Sequence, residues 1–202
     1  MSNDEVMLYD TEKASEQPKQ IKTFELIPPN WPPMSMVLPE FNFEKPPVDP
    51  DSFASSLVET CIKNNALGLS ANQCGYPYRV FVMGAGENFI ACFNPKIISS
   101  EGEAHLSEGC ATFPLLEFKI TRAKSVTVEY QDWQGTVHQQ TFTGLTARIF
   151  QHELDHMNGM LYTDRVKPLA LQAGVKRLEK LKRKYFNPKV MNKLNGKTTT
   201  KN

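Results

Sequence analysis

The chain lacks any apolar run approaching the eighteen or so residues that a membrane span needs. Its opening, MSNDEVMLYD, has neither a basic n-region nor an apolar h-region. No membrane association, export or organellar import is predicted, and the expected location is the cytoplasm. Cysteine is scarce: Cys61, Cys74, Cys92 and Cys110 form no CxxC pair and no dense framework, which points to reduced thiols. Charge of one sign is missing too, since 23 Lys or Arg against 22 Asp or Glu leave a formal net charge of +1. That balance gives no reason to expect sequence-specific DNA binding or an acidic substrate. It is uneven along the chain, however. Twelve Lys or Arg face one acid, Glu179, between Arg165 and Asn202, so an electrostatic partner would meet the C-terminal end.

At 202 residues, 40% of them hydrophobic, the chain is long enough for one substantial core. Residues 1–37 are polar and then proline-rich around Trp31, without helical or strand periodicity, and are predicted to be an extended, partly flexible arm. Composition favours disorder for residues 1–20. A domain over 38–186 and a basic tail over 187–202 complete the division. Within the domain, Asp51 and Ser52 are placed to cap a helix carrying Phe53, Leu57 and Cys61 at four-residue spacing and ending near Asn64 and Asn65. Short strands are predicted over 79–83, 89–93, 96–99, 125–130 and 136–143, the last two joined by the turn Asp132-Trp133-Gln134-Gly135. A second helix spans about 145–158. A third, about 168–185, places Leu171, Val175, Leu178, Leu181 and Tyr185 on one face and basic residues on the other. Strands followed by helices imply an α+β fold, with mostly antiparallel sheets around a central metal-binding helix and a C-terminal amphipathic helix.

That central helix carries His152-Glu153-Leu154-Asp155-His156. Residues four apart are neighbours on one helical face, so two imidazoles reach one ion while Glu153 lies within reach of a metal-bound water. Leu145 and Ile149 share the stripe, which turns the histidines inward. A catalytic metal normally needs a third protein ligand. Glu179 has the downstream spacing of a thermolysin-like protease, but Lys182 and Arg183 suit it to a solvated ion pair. Cys110, in EGCATFP from Glu108, is the upstream alternative, with Gly109 permitting close backbone approach.

Three ordered segments, ALGLSANQ from Ala66, EGCATFP from Glu108 and QHELDH from Gln151, resemble the peptide deformylase family. Similarity continues through Asn94-Pro95, Arg122 and the stretch Asn158 to Tyr162, and covers about residues 38 to 185. The resemblance implies a monomeric, metal-dependent amidohydrolase of protein biosynthesis that releases formate from N-formylmethionyl nascent polypeptides. It implies Cys110, His152 and His156 as ligands of Fe(II), with Zn(II) or another divalent transition metal also suited to a thiolate and two imidazoles. Glu153 would move the proton, while the Gln73 amide and the Ala111 backbone N–H would hold the developing oxyanion.

The same resemblance places Leu67, Leu106, Leu145 and Ile149 in a pocket for the methionine side chain. It adds the backbone of Gly68, Glu108 and Gly109, and Arg122 near the far end of the peptide. Ala66, Ser70, Ala111 and Thr112 depart from the residues usual at their positions, which bears on rate and pocket shape. The basic face of the C-terminal helix is similar to helices that dock such enzymes on the ribosome, a salt-sensitive kind of contact. Two other readings share the helical motif: a zincin-like protease, and a metal-stabilised binding protein without turnover.

Overall fold

The computed structural model describes residues 21–185, so the expectations for residues 1–20 and 187–202 lie outside it. Helix α1 runs Pro50–Lys63. Its cap is Asp49, whose carboxylate accepts from Ser52 N–H at 2.9 Å, and Pro50 at the first helical position fixes φ where no N–H is needed. The expected cap at Asp51 and Ser52 is thus moved two residues upstream. Phe53, Leu57 and Cys61 are buried as their spacing required. Burial of each large side chain contributes about 1.5–3 kcal/mol.

Seven strands follow among the described residues: β1 (Gly68–Ser70), β2 (Val80–Ala85), β3 (Asn88–Glu101), β4 (Ala104–Cys110), β5 (Phe113–Arg122), β6 (Ser125–Gln131) and β7 (Val137–Thr143). Five form an antiparallel sheet in the order β1-β2-β3-β6-β7, and β4 with β5 forms a separate antiparallel hairpin. The two strands expected at 89–93 and 96–99 are one continuous strand with a register shift between Phe93 and Lys96. Asn94 makes the irregularity tolerable. It sits at φ +51, a conformation Asn adopts more readily than most residues, and its side chain bonds the Phe41 N–H and carbonyl and Gln131.

Strand β2 shows why the sheet has helices on both faces. Phe81 and Met83 point to a core shared with Ala147, Phe150, Leu154 and Met157 of α2 (Gly144–Met157). Val80 and Val82, on the alternate face, join Phe53, Leu57 and Cys61 of α1. A third cluster forms where Leu116, Phe118 and Ile120 of β5 meet Tyr162 and the partly buried Leu171 and Leu178 of α3 (Pro168–Tyr185).

Residues 21–28 carry no regular structure, Pro32–Ser35 form a short 3-10 helix where an extended arm was expected, and the segment packs on the body. Phe24 N–H donates to Thr60 Oγ1 at 2.8 Å, Ile27 N–H donates to the Gln73 carbonyl at 2.8 Å, and Met34 is fully buried. Gly159, just past α2 at φ +70, lets this segment lie against the helix end. A Cβ there would stand 2.8 Å from the Ser35 carbonyl carbon.

Candidate metal centre

Helix α2 carries His152, Glu153 and His156 into the interior, at 8%, 3% and 0% exposure. The two imidazoles lie edge to face with centroids 5.0 Å apart, as the four-residue spacing requires. Strand β4 ends at Cys110, whose Sγ lies 3.5 Å from His156 Nε2. One donor atom from each of Cys110, His152 and His156 lies within 4.8 Å of the others. Two ligands of a tetrahedral ion at ordinary Zn–S and Zn–N lengths are about 3.6 Å apart. The sulfur–nitrogen separation therefore suits a shared ion without rearrangement. Glu179 is exposed on α3 and is not part of this cluster.

Gln73 stands beside the thiol. Its Oε1 accepts from Ser70 N–H and from Ser70 Oγ, each at 2.9 Å, which fixes the orientation of the amide. The Nε2 end is then turned to Cys110 Sγ at 3.3 Å and Thr112 Oγ1 at 2.9 Å. Asn72, one residue back, donates to the carbonyls of His156 and Pro33, both at 3.0 Å, and so ties this loop to the end of α2 and to the N-terminal arm.

Beneath the cluster lies a buried chain of alternating charges. Glu108 accepts from Arg122 Nε at 2.6 Å and Nη2 at 2.9 Å and from Arg148 Nη1, and its Oε2 lies 3.2 Å from His152 Nδ1. Asp155 accepts from Arg122 Nη1 at 2.8 Å and from both ends of the Arg165 guanidinium, at 2.7 and 2.6 Å. Burial raises the Glu108 carboxyl, but hydrogen bonds from His152 and Arg122 overcome it and hold the group at about 2. A carboxylate fixed in this way orients His152 and selects its tautomer.

The electrostatics separate the functional groups. Burial raises Glu153 to about 7, into the range where a carboxyl both takes and gives a proton near neutrality. Burial also drives His156 well below its ordinary value, so it is a neutral donor. For His152, burial acts downward, while hydrogen bonds with Cys110 and Glu108 lift it to about 10. Glu153 Oε2 and His156 Nδ1 are buried without a hydrogen-bond partner among the described residues. An acceptor buried in this way costs about 1–3 kcal/mol unless a water or ligand in the cleft donates to it. Soft sulfur, two imidazole nitrogens and a waiting carboxylate fit a divalent transition ion with a water.

The cluster opens into a cleft of about 430 Å³. Leu67, Gly68, Leu145 and Ile149 line it together with Gly109, Cys110, Ala111, Gln73 and Glu108. Two expected pocket residues are not brought there. Leu106 is half exposed on β4 and does not line the cleft, whereas Ser107 through Ala111 do. Arg122 is buried in the charge chain, where its fork is fully used by Glu108 and Asp155, and it is not available to a peptide. Sequence reasoning missed Arg148 and the cleft-lining Glu117, and named Thr112 only as a departure, not as the partner of Gln73. Arg148 had a usable signal: it lies four residues before His152, on the ligand side of α2.

A family model described as polypeptide deformylase matches residues 40–172. A curated peptide deformylase of Thermotoga neapolitana is 41% identical over 113 residues, covering 55% of this chain and 69% of that protein. One from Dictyoglomus turgidum is 40% identical over 109 residues, covering 54% and 71%. Among solved structures, a Legionella pneumophila peptide deformylase aligns with a TM-score of 0.73 at 28% identity, covering 82% of this chain and 98% of that one. A Thermotoga maritima peptide deformylase aligns at 0.65 and 30% identity, covering 72% and 99%.

Proposed function

Because the chain belongs to the polypeptide deformylase family, we propose that it hydrolyses the formyl group from N-formylmethionyl nascent polypeptides, with Cys110, His152 and His156 holding a divalent transition metal. The observation that carries this reading is the clustering of those three donor atoms, with Cys110, His152, Glu153 and Gln73 lining one cleft. Iron(II) is the proposed native ion, with zinc(II) compatible with the same donors. When bound, such an ion supplies Lewis acidity and a water acidified toward neutral pH.

The protein's own groups then divide the work. Glu153 takes a proton from the attacking water as its oxygen adds to the formyl carbon. The carboxyl gives that proton to the amide nitrogen as the C–N bond breaks, and formate and a free N-terminus result. Gln73 Nε2, held by Ser70, and the Ala111 N–H are the proposed donors to the developing oxyanion, each worth about 3 kcal/mol. The methionine side chain is assigned to Leu67, Leu145 and Ile149. Strand β1 pairs with β2 and lies at the end of the sheet order, which supports main-chain pairing of the peptide with Gly68. Gly109, also lining the cleft, offers close approach.

The proposed catalytic unit is residues 38–186, monomeric and cytoplasmic, with the arm and tail on either side. No described helix is long and apolar enough to cross a membrane. The basic face of α3 is the proposed ribosome contact, and truncation at about residue 168 should abolish salt-sensitive co-sedimentation. The activity is tested by supplying metal-loaded protein with a short formyl-methionyl peptide and its acetylated counterpart. A new free N-terminus, with formate, is expected from the first alone, and a free N-terminus from neither would refute the reading.

A further inference from the structure

The two hydrogens of the Gln73 amide have partners of different kinds. Oε1 faces the Ser70 backbone N–H at 2.9 Å, a group that can only donate, so the nitrogen end is turned the other way. There Nε2 donates to Cys110 Sγ at 3.3 Å and to Thr112 Oγ1 at 2.9 Å. Gln73 and Cys110 line the cleft, whereas Thr112 does not. The hydrogen on the sulfur side is therefore the one beside the donor cluster, and the other is held outside the cleft lining. Thr112 owes its place to a tight turn. β4 and β5 close at the pair Cys110 and Phe113, which leaves Ala111 and Thr112 as the two residues between them. One turn thus carries the sulfur donor, the Ala111 N–H and the hydroxyl that accepts from Gln73. Gln73 comes from a segment 39 residues earlier and is 1% exposed, so its bond to Thr112 ties the buried amide to this turn.

We propose that Thr112 is a positioning residue for the reaction: its hydroxyl holds one N–H of Gln73, which aims the other at the donor cluster and fixes the amide relative to the Ala111 N–H. The inference rests on the deformylase reading and deepens it. As the formyl oxygen gains charge, the sulfur-side N–H turns to it while the bond to Thr112 persists. Ser70 alone would leave the amide able to swing about Oε1, and an oxyanion donor acts only when it is already in place. Threonine suits the task because its branched side chain has few χ1 rotamers.

The test measures kcat, KM and bound metal on a formyl-methionyl peptide for wild type, Thr112→Val, Thr112→Ser, Gln73→Ala and the double variant Gln73→Ala with Thr112→Val. Valine keeps the shape and loses the acceptor, so kcat is expected to fall by about five- to ten-fold, the value of one hydrogen bond, with KM and metal content unchanged. Serine restores the hydroxyl and should stay within about two-fold of wild type. In the Gln73→Ala background the valine should cost less than about two-fold, because the partner through which Thr112 acts is gone. Thr112→Ala should repeat the valine result, and it carries the test if valine does not fold. A normal kcat in both hydroxyl-free variants, a loss confined to KM, a loss that follows bound metal, or a full loss retained without Gln73 would each overturn the assignment of Thr112. A wild type that, loaded with metal, frees no N-terminus from the formyl peptide would instead remove the deformylase reading beneath it.

Discussion

The Cβ that Gly68 lacks would stand 2.6 Å from Glu153 Oε1 and 2.8 Å from Ile149 Cγ2. The glycine at the start of β1 is therefore what leaves room for the Glu153 carboxylate, the proposed proton carrier. Gly68→Ala should force Glu153 or α2 to shift, and a displacement near 1 Å at a reacting group costs about 100-fold in rate. Steady-state formate release measures it, with circular dichroism as the check on folding. A folded Gly68→Ala protein of normal rate would show that Glu153 has slack.

Glu108 holds two buried guanidiniums and one imidazole together. Glu108→Ala leaves Arg122 and Arg148 without that counter-charge, a loss of about 3–5 kcal/mol. It also releases His152 Nδ1, and loss of such a partner lowers metal affinity by about 10–100-fold. Thermal unfolding and a chelator-competition titration read the two effects separately.

The same carboxylate sets a pH dependence. Glu108 titrates at about 2 in the folded chain against an ordinary value of 4.5. Because the folded value is the lower, the unfolded chain takes up the proton first as pH falls. The stabilisation is complete above about 4.5, is lost progressively toward about 2, and spans on the order of 3 kcal/mol. Urea unfolding at about pH 6 and about pH 3 should show wild type losing more stability than Glu108→Gln, whose amide does not titrate. Equal losses would place the acid sensitivity elsewhere.

Much of the site was legible because its signals are local. Two histidines four residues apart announce a helical face, and the EGC and Gly-rich segments identified their partners across the chain. The two helices with clean apolar spacing were also readable. What was missed depends on contacts distant in sequence. Arg122 looks like any exposed cation until Glu108 and Asp155, 14 and 33 residues away, are seen to occupy its fork. β4 was overlooked because Ser107 and Gly109, whose neighbours across the hairpin lie on β5, carry no alternating apolar pattern. β1 is only three residues long, too short for a periodic signal. Asn94-Pro95 read as a break, whereas Asn94 satisfies its neighbours with its own amide and the strand continues.

The N-terminal arm, which the motifs left unexplained, has a measurable role through Met34. This side chain is fully buried, and the preceding Pro33 carbonyl shares Asn72 with His156. Met34→Ala should destabilise the protein by about 2–5 kcal/mol. Looser retention of the metal should accompany that loss, seen as faster release to a chelator. Unchanged stability would show that the arm lies on the body without supporting it.

The most direct test of the proton-transfer assignment is formate released per bound metal by wild type and by Glu153→Gln, with metal content measured on the same samples. The amide keeps the size of the buried side chain but cannot take the proton. The expected result is an unchanged metal stoichiometry with a rate at least about 100-fold lower. A Glu153→Gln protein that binds the metal and still releases formate at the wild-type rate would contradict the role assigned to Glu153.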